Sequence, residues 1–185
     1  MIILLEGADC SGKTTLGEEI KKAFCAEYVH HTQDTNSISE FSSTLNKAAA
    51  RREAGGVTVI DRLWISEMIY GPVMRNLTHD PDGLVMRLCH MAGVVTVMCV
   101  RQDITKHLTH FRDVSETRDE YAKDNISTII HAYYDLWYGK HDAKYSGLLG
   151  KLVRQTPLKL LRSYYQYDMD VLTPQEFTNW LLRIR

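Results

Sequence analysis

Residues 2–15 read IILLEGADCSGKTT, and this stretch decides the fold class. Its first part, Ile2-Ile3-Leu4-Leu5, is a continuous apolar run, which is typical of a strand buried on both faces of a parallel sheet. Its second part, residues 7–14, fits the pattern G-x-x-x-x-G-K-[ST] at every fixed position. Apolar side chains then recur at helical spacing as far as Phe24. The order strand, glycine-rich loop and helix predicts a phosphate-binding loop.

The residue types in this loop are those that phosphate binding requires. Gly7 and Gly12 let the backbone curl, so that successive N–H groups point at one phosphate, and the helix start adds partial positive charge. Lys13 is placed to reach the β- and γ-phosphates, and the Thr14 hydroxyl is placed to reach Mg²⁺. We therefore predict ATP and Mg²⁺ as cofactors. The predicted nucleotide-binding residues are Gly7, Ala8, Asp9, Cys10, Ser11, Gly12, Lys13, Thr14 and Thr15.

Short apolar runs alternate with longer helical patterns along the rest of the chain. Further strands are predicted over residues 27–30, 57–60, 94–100 and 162–167, and helices over 37–54, 64–76, 82–91, 104–110, 126–138 and 174–184. A kink is expected at Pro72, and an exposed loop over residues 112–118, which lack apolar periodicity. The alternation predicts an α/β fold with a parallel sheet of about five strands and helices on both faces. We expect one domain over residues 1–185.

Composition excludes several classes of protein. The chain has 44% hydrophobic and 24% charged residues, which is ordinary for a globular protein and excludes general disorder. A formal net charge of −1 argues against a nucleic-acid coat and against a polynucleotide partner. No apolar stretch approaches the ~20 residues of a membrane span. The start does not resemble a signal peptide, and the four cysteines form no CxxC pair. These features predict a cytoplasmic protein without a membrane partner.

A second candidate site follows the third predicted strand at Asp61-Arg62. Ligands of open parallel sheets lie beyond the carboxyl ends of the strands, so both side chains are expected near the phosphate-binding loop. Arg62 is suited to clamp an acceptor phosphate with its forked guanidinium. Asp61 is suited either to hold Mg²⁺ or to act as a base toward a hydroxyl acceptor. The sequence leaves both roles open, beside a plain ion pair at a strand end.

These residues resemble a known family. Residues 6–15, EGADCSGKTT, are similar to the EGxDGSGKTT opening of thymidylate kinases. Asp61-Arg62, followed by Ser66 and Tyr70, resembles the DRY…S…AYQG segment of that family and the ERS…SDRY segment of the related deoxynucleoside kinases. Residues 61–75 also look like phage-borne members, for which the location would be the host cytoplasm. The resemblance implies a P-loop NTPase fold, a short lid over residues 111–120 and a homodimer.

The resemblance also implies roles for single residues. Asp9 would contact the sugar of a monophosphate acceptor, and Arg62 would bind its phosphate. Because Asp9, Cys10 and Ser11 are not basic, Arg112 and Arg118 of the lid would neutralise the transferring phosphoryl group.

Three further side chains complete the predicted acceptor site. Trp64 and Tyr70 lie 6 positions apart and are candidates for stacking on the acceptor base, although core packing is the alternative for both. Arg75 is a candidate to replace an arginine that the family carries elsewhere.

The sequence thus predicts ATP-dependent phosphorylation of a deoxynucleoside monophosphate, with dTMP favoured. Three departures from the family leave the base specificity open. His30-His31-Thr32-Gln33 lacks the usual arginine, the arginine of the helix before the third strand is not evident near Glu40-Phe41-Ser42, and Gly71 replaces a glutamine after Tyr70. The alternatives are a deoxynucleoside kinase with Asp61 as general base, a kinase acting on a polynucleotide hydroxyl, and a P-loop ATPase or switch. His107 and His110 have a spacing that suits zinc, but the sequence offers no third ligand.

Overall fold

The strand β1, Ile2–Glu6, is the central strand of a five-stranded parallel sheet with the order β2-β3-β1-β4-β5. The other strands are β2 (Glu27–His30), β3 (Thr58–Asp61), β4 (Val95–Val100) and β5 (Tyr164–Asp168). All four pairings are parallel. The computed structural model describes residues 1–32, 38–77, 83–101, 103–114, 120–138 and 164–184.

Helices cover both faces of the sheet. They are α1 (Lys13–Phe24), α2 (Ile38–Glu53), α3 (Trp64–Tyr70), α4 (Leu84–Met91), α5 (Ile104–Val114), α6 (Glu120–Tyr138) and α7 (Pro174–Ile184), with a π-helical turn at Gly71–Arg75 after α3. Helices α1 and α7 pack on one face, and α2 to α6 pack on the other. The prediction of a P-loop-type α/β fold with about five parallel strands is confirmed. Within the described ranges, no helix combines the length and apolarity needed to cross a membrane.

The apolar run of β1 is explained by burial on both faces. Ile2 and Leu4 belong to the core beneath α2 to α6, whereas Ile3 and Leu5 belong to the core beneath α1 and α7. Successive side chains of a strand point to opposite faces, so a central strand needs an apolar residue at every position. The parallel pairing of β1 with β3 and β4 brings the carboxyl ends of all three strands to one edge, next to the glycine-rich loop.

Helix α5 corrects the prediction of an exposed loop that begins at Arg112. The helix continues to Val114, and Glu120 already belongs to α6, so these parts of the predicted lid are helical. The remaining lid residues 115–119, including Arg118, lie outside the described residues, as do residues 33–37 and 139–163. Phe111, which follows the end of the predicted helix, belongs to α5 and is buried there together with His107.

The helix expected over residues 64–76 is replaced by two elements. Helix α3 ends at Tyr70, and the π-helical turn follows, with Asn76 N–H bonding to the carbonyl oxygens of Gly71 and Pro72. Pro72 has no N–H for the carbonyl four residues before it, which interrupts the α-helical ladder at this point. The expected irregularity at Pro72 is therefore present as a wider helical turn rather than as a kink.

Candidate active site

The glycine-rich loop between β1 and α1 lies close against the end of β4. Gly7 has φ 148°, and a Cβ atom there would lie 2.3 Å from the carbonyl oxygen of Cys99. Gly12, with φ 81°, begins α1 in a left-handed conformation that other residues seldom adopt. The two glycines of the motif are therefore required by the backbone and by the close approach of β4.

Lys13 is buried beneath this loop. Its Nζ donates hydrogen bonds to the carbonyl oxygens of Gly7 (2.8 Å) and Ala8 (2.6 Å). Burial lowers the pKa of Lys13, and the positive charge of Arg62 adds to this effect, while the carboxylates of Asp61 and Asp9 oppose it. An anion bound in the loop would favour the charged form of Lys13 again.

A cavity of about 420 Å³ opens beside the loop, and we call it the donor cavity. It is lined by residues 9–15, His30, Asp61, Arg62, His110 and Met169. Gly7 and Ala8 do not line it, and their carbonyl oxygens accept hydrogen bonds from Lys13. The other predicted nucleotide-binding residues all lie on its wall.

Asp61 is fully buried at the end of β3. Its Oδ2 accepts a hydrogen bond from the Tyr28 hydroxyl (2.7 Å) and lies 3.1 Å from Nδ1 of His30. Burial by itself raises the pKa of Asp61, but the His30 hydrogen bond, the charge of Lys13 and the Tyr28 hydrogen bond together hold it below its ordinary value. Asp61 is thus a carboxylate, and its Oδ1 has no hydrogen-bond partner among the described residues.

Thr14 and Asp61 fit the predicted magnesium site. The Tyr28 hydroxyl forms hydrogen bonds with both side chains, so the two predicted ligands are neighbours at the donor cavity. A buried carboxylate oxygen without a partner and a hydroxyl oxygen are ligands that suit Mg²⁺. In the part of the chain that the structure describes, no group of three or more histidine, cysteine or acidic side chains is arranged so that it could hold a metal ion. That part therefore offers no third ligand to His107 and His110.

Arg62 lies between the loop and α3 in a left-handed conformation, with φ 73°. Its guanidinium bonds to the carboxylate of Asp9 and lies 4.8 Å from the ring centroid of Tyr70. Burial lowers the pKa of Arg62, but Tyr70 and Asp9 raise it by more, so the guanidinium is a permanent cation. A left-handed residue other than glycine costs about 1–2 kcal/mol. Such strain at a buried cation is typical of a functional position.

A second cavity of about 220 Å³, the acceptor cavity, lies on the other side of Arg62. It is lined by Asp9, His30, His31, Thr32, Arg62, Leu63, Ser66, Glu67, Tyr70 and Arg75. Asp9, His30 and Arg62 line both cavities, whereas Asp61 lines the donor cavity and not the acceptor cavity. The two spaces therefore meet at the Asp9–Arg62 pair.

The π-helical turn places Arg75 at the acceptor cavity. Residues eight apart in an α-helix differ by about 80° around the axis, but the wider turn brings Arg75 above Glu67. Nη2 of Arg75 lies 2.6 Å from Oε2 of the buried Glu67. The far wall of the cavity therefore carries a paired hydrogen-bond donor and acceptor.

Glu6 holds the start of α3, a role that the sequence did not predict. Its carboxylate accepts hydrogen bonds from the N–H groups of Leu63 (2.9 Å), Ile65 (3.1 Å) and Ser66 (3.1 Å). It also accepts one from the Ser66 hydroxyl (2.6 Å), which lies 2.8 Å from the hydroxyl of Tyr133. Burial raises the pKa of Glu6, although these hydrogen bonds oppose the effect. Glu6 thus caps α3. The sequence feature that could have indicated this role is a charged residue at the end of an apolar strand.

Two predicted residues lie away from the cavities. Trp64 is 5% exposed and packs in the core beneath α2 to α6, so it does not line the acceptor cavity. Arg112 is exposed on α5 and lines neither cavity. Conversely, His30, Glu67, His110 and Met169 line the cavities, and Tyr28 bonds to Asp61. None of these was among the predicted site residues, because none belongs to the glycine-rich loop or directly follows β3.

Comparison with known proteins identifies the fold. No protein-family model matches the chain, and no curated protein matches its sequence. Solved structures match over its whole length. The YorR protein of Bacillus subtilis, in complex with phosphorylated GDP, has a TM-score of 0.65 and 15% identity, with 100% of this chain and 95% of that chain covered. The deoxyadenosine kinase of M. mycoides has a TM-score of 0.53 and 11% identity, with 100% and 98% covered.

A third match is the shikimate kinase of Acinetobacter baumannii, with a TM-score of 0.51, 11% identity, and 99% of this chain and 91% of that chain covered. At such identities the likeness shows the fold alone. The chain has the fold of the P-loop kinases.

Proposed function

We propose that this protein transfers the γ-phosphoryl group of ATP to a deoxynucleoside monophosphate, with dTMP as the first acceptor to test. The observation that carries the proposal is the meeting of two cavities at Arg62. One cavity carries the phosphate-binding loop, and the other carries paired polar groups suited to a nucleotide. A phosphoryl group that bridges them would lie beside a permanent cation.

The donor cavity suits the triphosphate of ATP. The N–H groups of the loop and the Lys13 ammonium supply positive charge where the transition state gains negative charge. Thr14 and Asp61 would hold Mg²⁺, which neutralises charge on the phosphate oxygens when it is bound. Arg112 and Arg118 would act as lid arginines that neutralise charge on the transferring phosphoryl group.

The acceptor cavity suits a nucleotide. An incoming phosphate would exchange with the Asp9 carboxylate on Arg62, which leaves Asp9 to accept a hydrogen bond from the sugar. Tyr70 offers a ring beside the guanidinium, and Glu67 with Arg75 offers an acceptor and a donor to a base such as thymine, which has an N–H beside carbonyl groups. An acceptor phosphate is already anionic, so no general base is needed.

A deoxynucleoside is the second candidate acceptor. Both arginines of the acceptor cavity are bonded to carboxylates, which lowers its net positive charge and would suit a neutral ligand. In that case the deoxynucleoside hydroxyl needs a base. Among the described residues, His30 connects Asp61 with the acceptor cavity, because His30 bonds to Asp61 and lines both cavities, whereas Asp61 lines the donor cavity alone.

Product analysis with Mg·ATP tests the two candidates directly. Each deoxynucleoside and each deoxynucleoside monophosphate is supplied separately, together with a 5′-hydroxyl oligonucleotide and a sample without acceptor. We expect dTDP from dTMP, and no product from Lys13→Ala, which is expected to keep its fold. A monophosphate made from a deoxynucleoside would favour the second candidate, and ATP hydrolysis without any acceptor product would contradict both.

A further inference from the structure

His107 is a buried histidine outside both cavities that contacts the phosphate-binding loop. It lies on α5, is 1% exposed, and its Nε2 is 2.6 Å from the carbonyl oxygen of Asp9. A carbonyl oxygen can only accept, so Nε2 carries the proton. Burial lowers the pKa of His107 to about 4, with smaller contributions from Arg101, Lys13 and His110, so the ring is neutral at neutral pH. Its Nδ1 is then an unprotonated nitrogen without a partner among the described residues.

The bond from His107 fixes one peptide group of the loop. The Asp9–Cys10 peptide is planar and trans, so its N–H points away from the carbonyl oxygen that His107 holds. On the other side of the same residue, the Asp9 N–H donates to the Tyr70 hydroxyl (3.2 Å). The backbone of Asp9 is thus held at both of its polar groups, by side chains from α5 and α3.

The peptide that His107 holds is followed by a strained residue. Cys10 lines the donor cavity and has φ 61°, which is left-handed and unfavourable for any residue other than glycine. A flip of the Asp9–Cys10 peptide would bring φ of Cys10 to a common negative value. The same flip would reverse the Cys10 N–H and turn the Asp9 carbonyl oxygen into its place. A carbonyl oxygen in that position would repel a phosphate.

We propose that His107 is a positioning residue that locks the Asp9–Cys10 peptide in the orientation that phosphate binding requires. The hydrogen bond from His107 to the Asp9 carbonyl oxygen opposes the local preference of Cys10 for a negative φ. The proposal rests on the proposed use of ATP, because the orientation of this peptide matters only if the loop binds the phosphates of a nucleotide.

The first test compares two substitutions of equal length. His107→Gln keeps an N–H donor near the position of Nε2, whereas His107→Met fills similar space without a donor. The readout is the dissociation constant of Mg·ADP by titration calorimetry, with thermal unfolding to confirm the fold and His90→Met as control on an exposed histidine of α4. We expect H107M to weaken Mg·ADP about tenfold, the size expected for one strained backbone residue without support. We expect H107Q and H90M to stay within about threefold of wild type.

The second test releases the strain at Cys10. Glycine adopts a left-handed φ freely, so Cys10→Gly in the H107M background is expected to restore most of the lost affinity. Cys10→Ala removes the same thiol but keeps the preference for a negative φ, so it is expected to restore none.

Four outcomes would overturn the inference. The first two are a folded H107M that binds Mg·ADP as tightly as the wild type, and a folded H107Q that loses as much affinity for Mg·ADP as H107M. The other two concern the H107M background: C10A restores as much affinity as C10G, or C10G restores none. A wild-type protein that does not bind Mg·ADP would instead contradict the proposed function itself.

Discussion

Arg62 is the residue at which the two cavities meet, and its geometry predicts a selective effect on the acceptor. Arg62→Lys keeps the positive charge but loses the planar fork and the packing on Tyr70. We expect the KM of the acceptor to rise about tenfold or more, as for the loss of one charge-assisted hydrogen bond. The dissociation constant of Mg·ADP should stay within about threefold.

Arg51→Lys is the matched control, since Arg51 lies on α2 and bonds to the carbonyl oxygen of Val57. Steady-state kinetics and calorimetry give the two quantities. Equal losses of affinity for the acceptor and for Mg·ADP would contradict the assignment of Arg62 to the acceptor phosphate.

Asp61 separates the two candidate reactions through its response to Mg²⁺. If Asp61 orients the metal, Asp61→Asn is expected to raise the Mg²⁺ concentration for half-maximal activity by about tenfold. If Asp61 is instead a general base, Asp61→Asn is expected to have a lower kcat at saturating Mg²⁺ and an unchanged Mg²⁺ requirement. A Mg²⁺ titration of kcat at fixed ATP distinguishes the two results.

The lowered pKa of Asp61 also predicts a pH dependence of stability. The carboxyl ionises more readily in the fold than in the unfolded chain, so its ionised form stabilises the fold at neutral pH. That contribution is present above the ordinary pKa of an aspartate and is lost as the pH falls through the lower folded value. The free energy of unfolding of D61N, measured by urea titration from pH 7 to pH 3, should therefore fall less steeply than that of wild type.

At the scale of elements, Glu6 joins the end of β1 to the start of α3. Glu6→Ala leaves three buried N–H groups and the Ser66 hydroxyl without their acceptor. We expect the free energy of unfolding to fall by about 3 kcal/mol, since each unsatisfied buried donor costs about 1–3 kcal/mol before relaxation. Urea unfolding measures the change, and Glu53→Ala on the exposed end of α2 is the control. A change below about 1 kcal/mol, as at ordinary surface positions, would contradict the capping role.

The elements that the sequence predicted are those in which one local signal dominates. The β1, β3 and β4 runs are apolar at nearly every position, and the glycine-rich loop has a fixed pattern. The end of α5 was missed because its buried apolar face is complete at Phe111, and the following residues lead into a stretch without apolar periodicity. The contact of His107 with the Asp9 carbonyl oxygen joins residues 98 positions apart and has no local signal in the sequence. The π-helical turn was missed because proline indicates an interrupted helix but not the form of the interruption.

The site was predicted where its residues belong to the loop or directly follow a strand. Four of the predicted residues line the acceptor cavity, namely Asp9, Arg62, Tyr70 and Arg75. Trp64 lies at the start of α3, where its side chain packs in the core. Tyr28 and His30 come from β2, whereas Glu67 comes from α3, so the parallel sheet and the capped α3 bring them together. That Asp61 lines the donor cavity alone is likewise a property of the tertiary structure.

At the scale of the whole molecule, the strand order explains why two ligands meet. β1 lies between β3 and β4, so the loop after β1 and the residues after β3 share one edge of the sheet. Asp9 and Arg62, which come from these two positions, are bonded to each other. Asp9 and Arg62 line both cavities, so we expect a ligand bound in either cavity to change a wall of the other.

This shared wall predicts coupled stabilisation by the two ligands. A ligand at 100 times its dissociation constant adds about 2.7 kcal/mol to the free energy of unfolding. We expect Mg·ADP and dTMP together to raise it by about 1 kcal/mol more than the sum of their separate effects, because the acceptor phosphate releases Asp9 from Arg62 and the donor phosphates offset the charge of Lys13. Differential scanning calorimetry with each ligand and with both measures this coupling, and one cooperative transition is expected for the proposed single domain.

Lys13→Ala is the control, which should lose the Mg·ADP shift and the coupling but keep the dTMP shift. Strictly additive shifts would show that the cavities act independently, and two separate transitions would contradict the single domain.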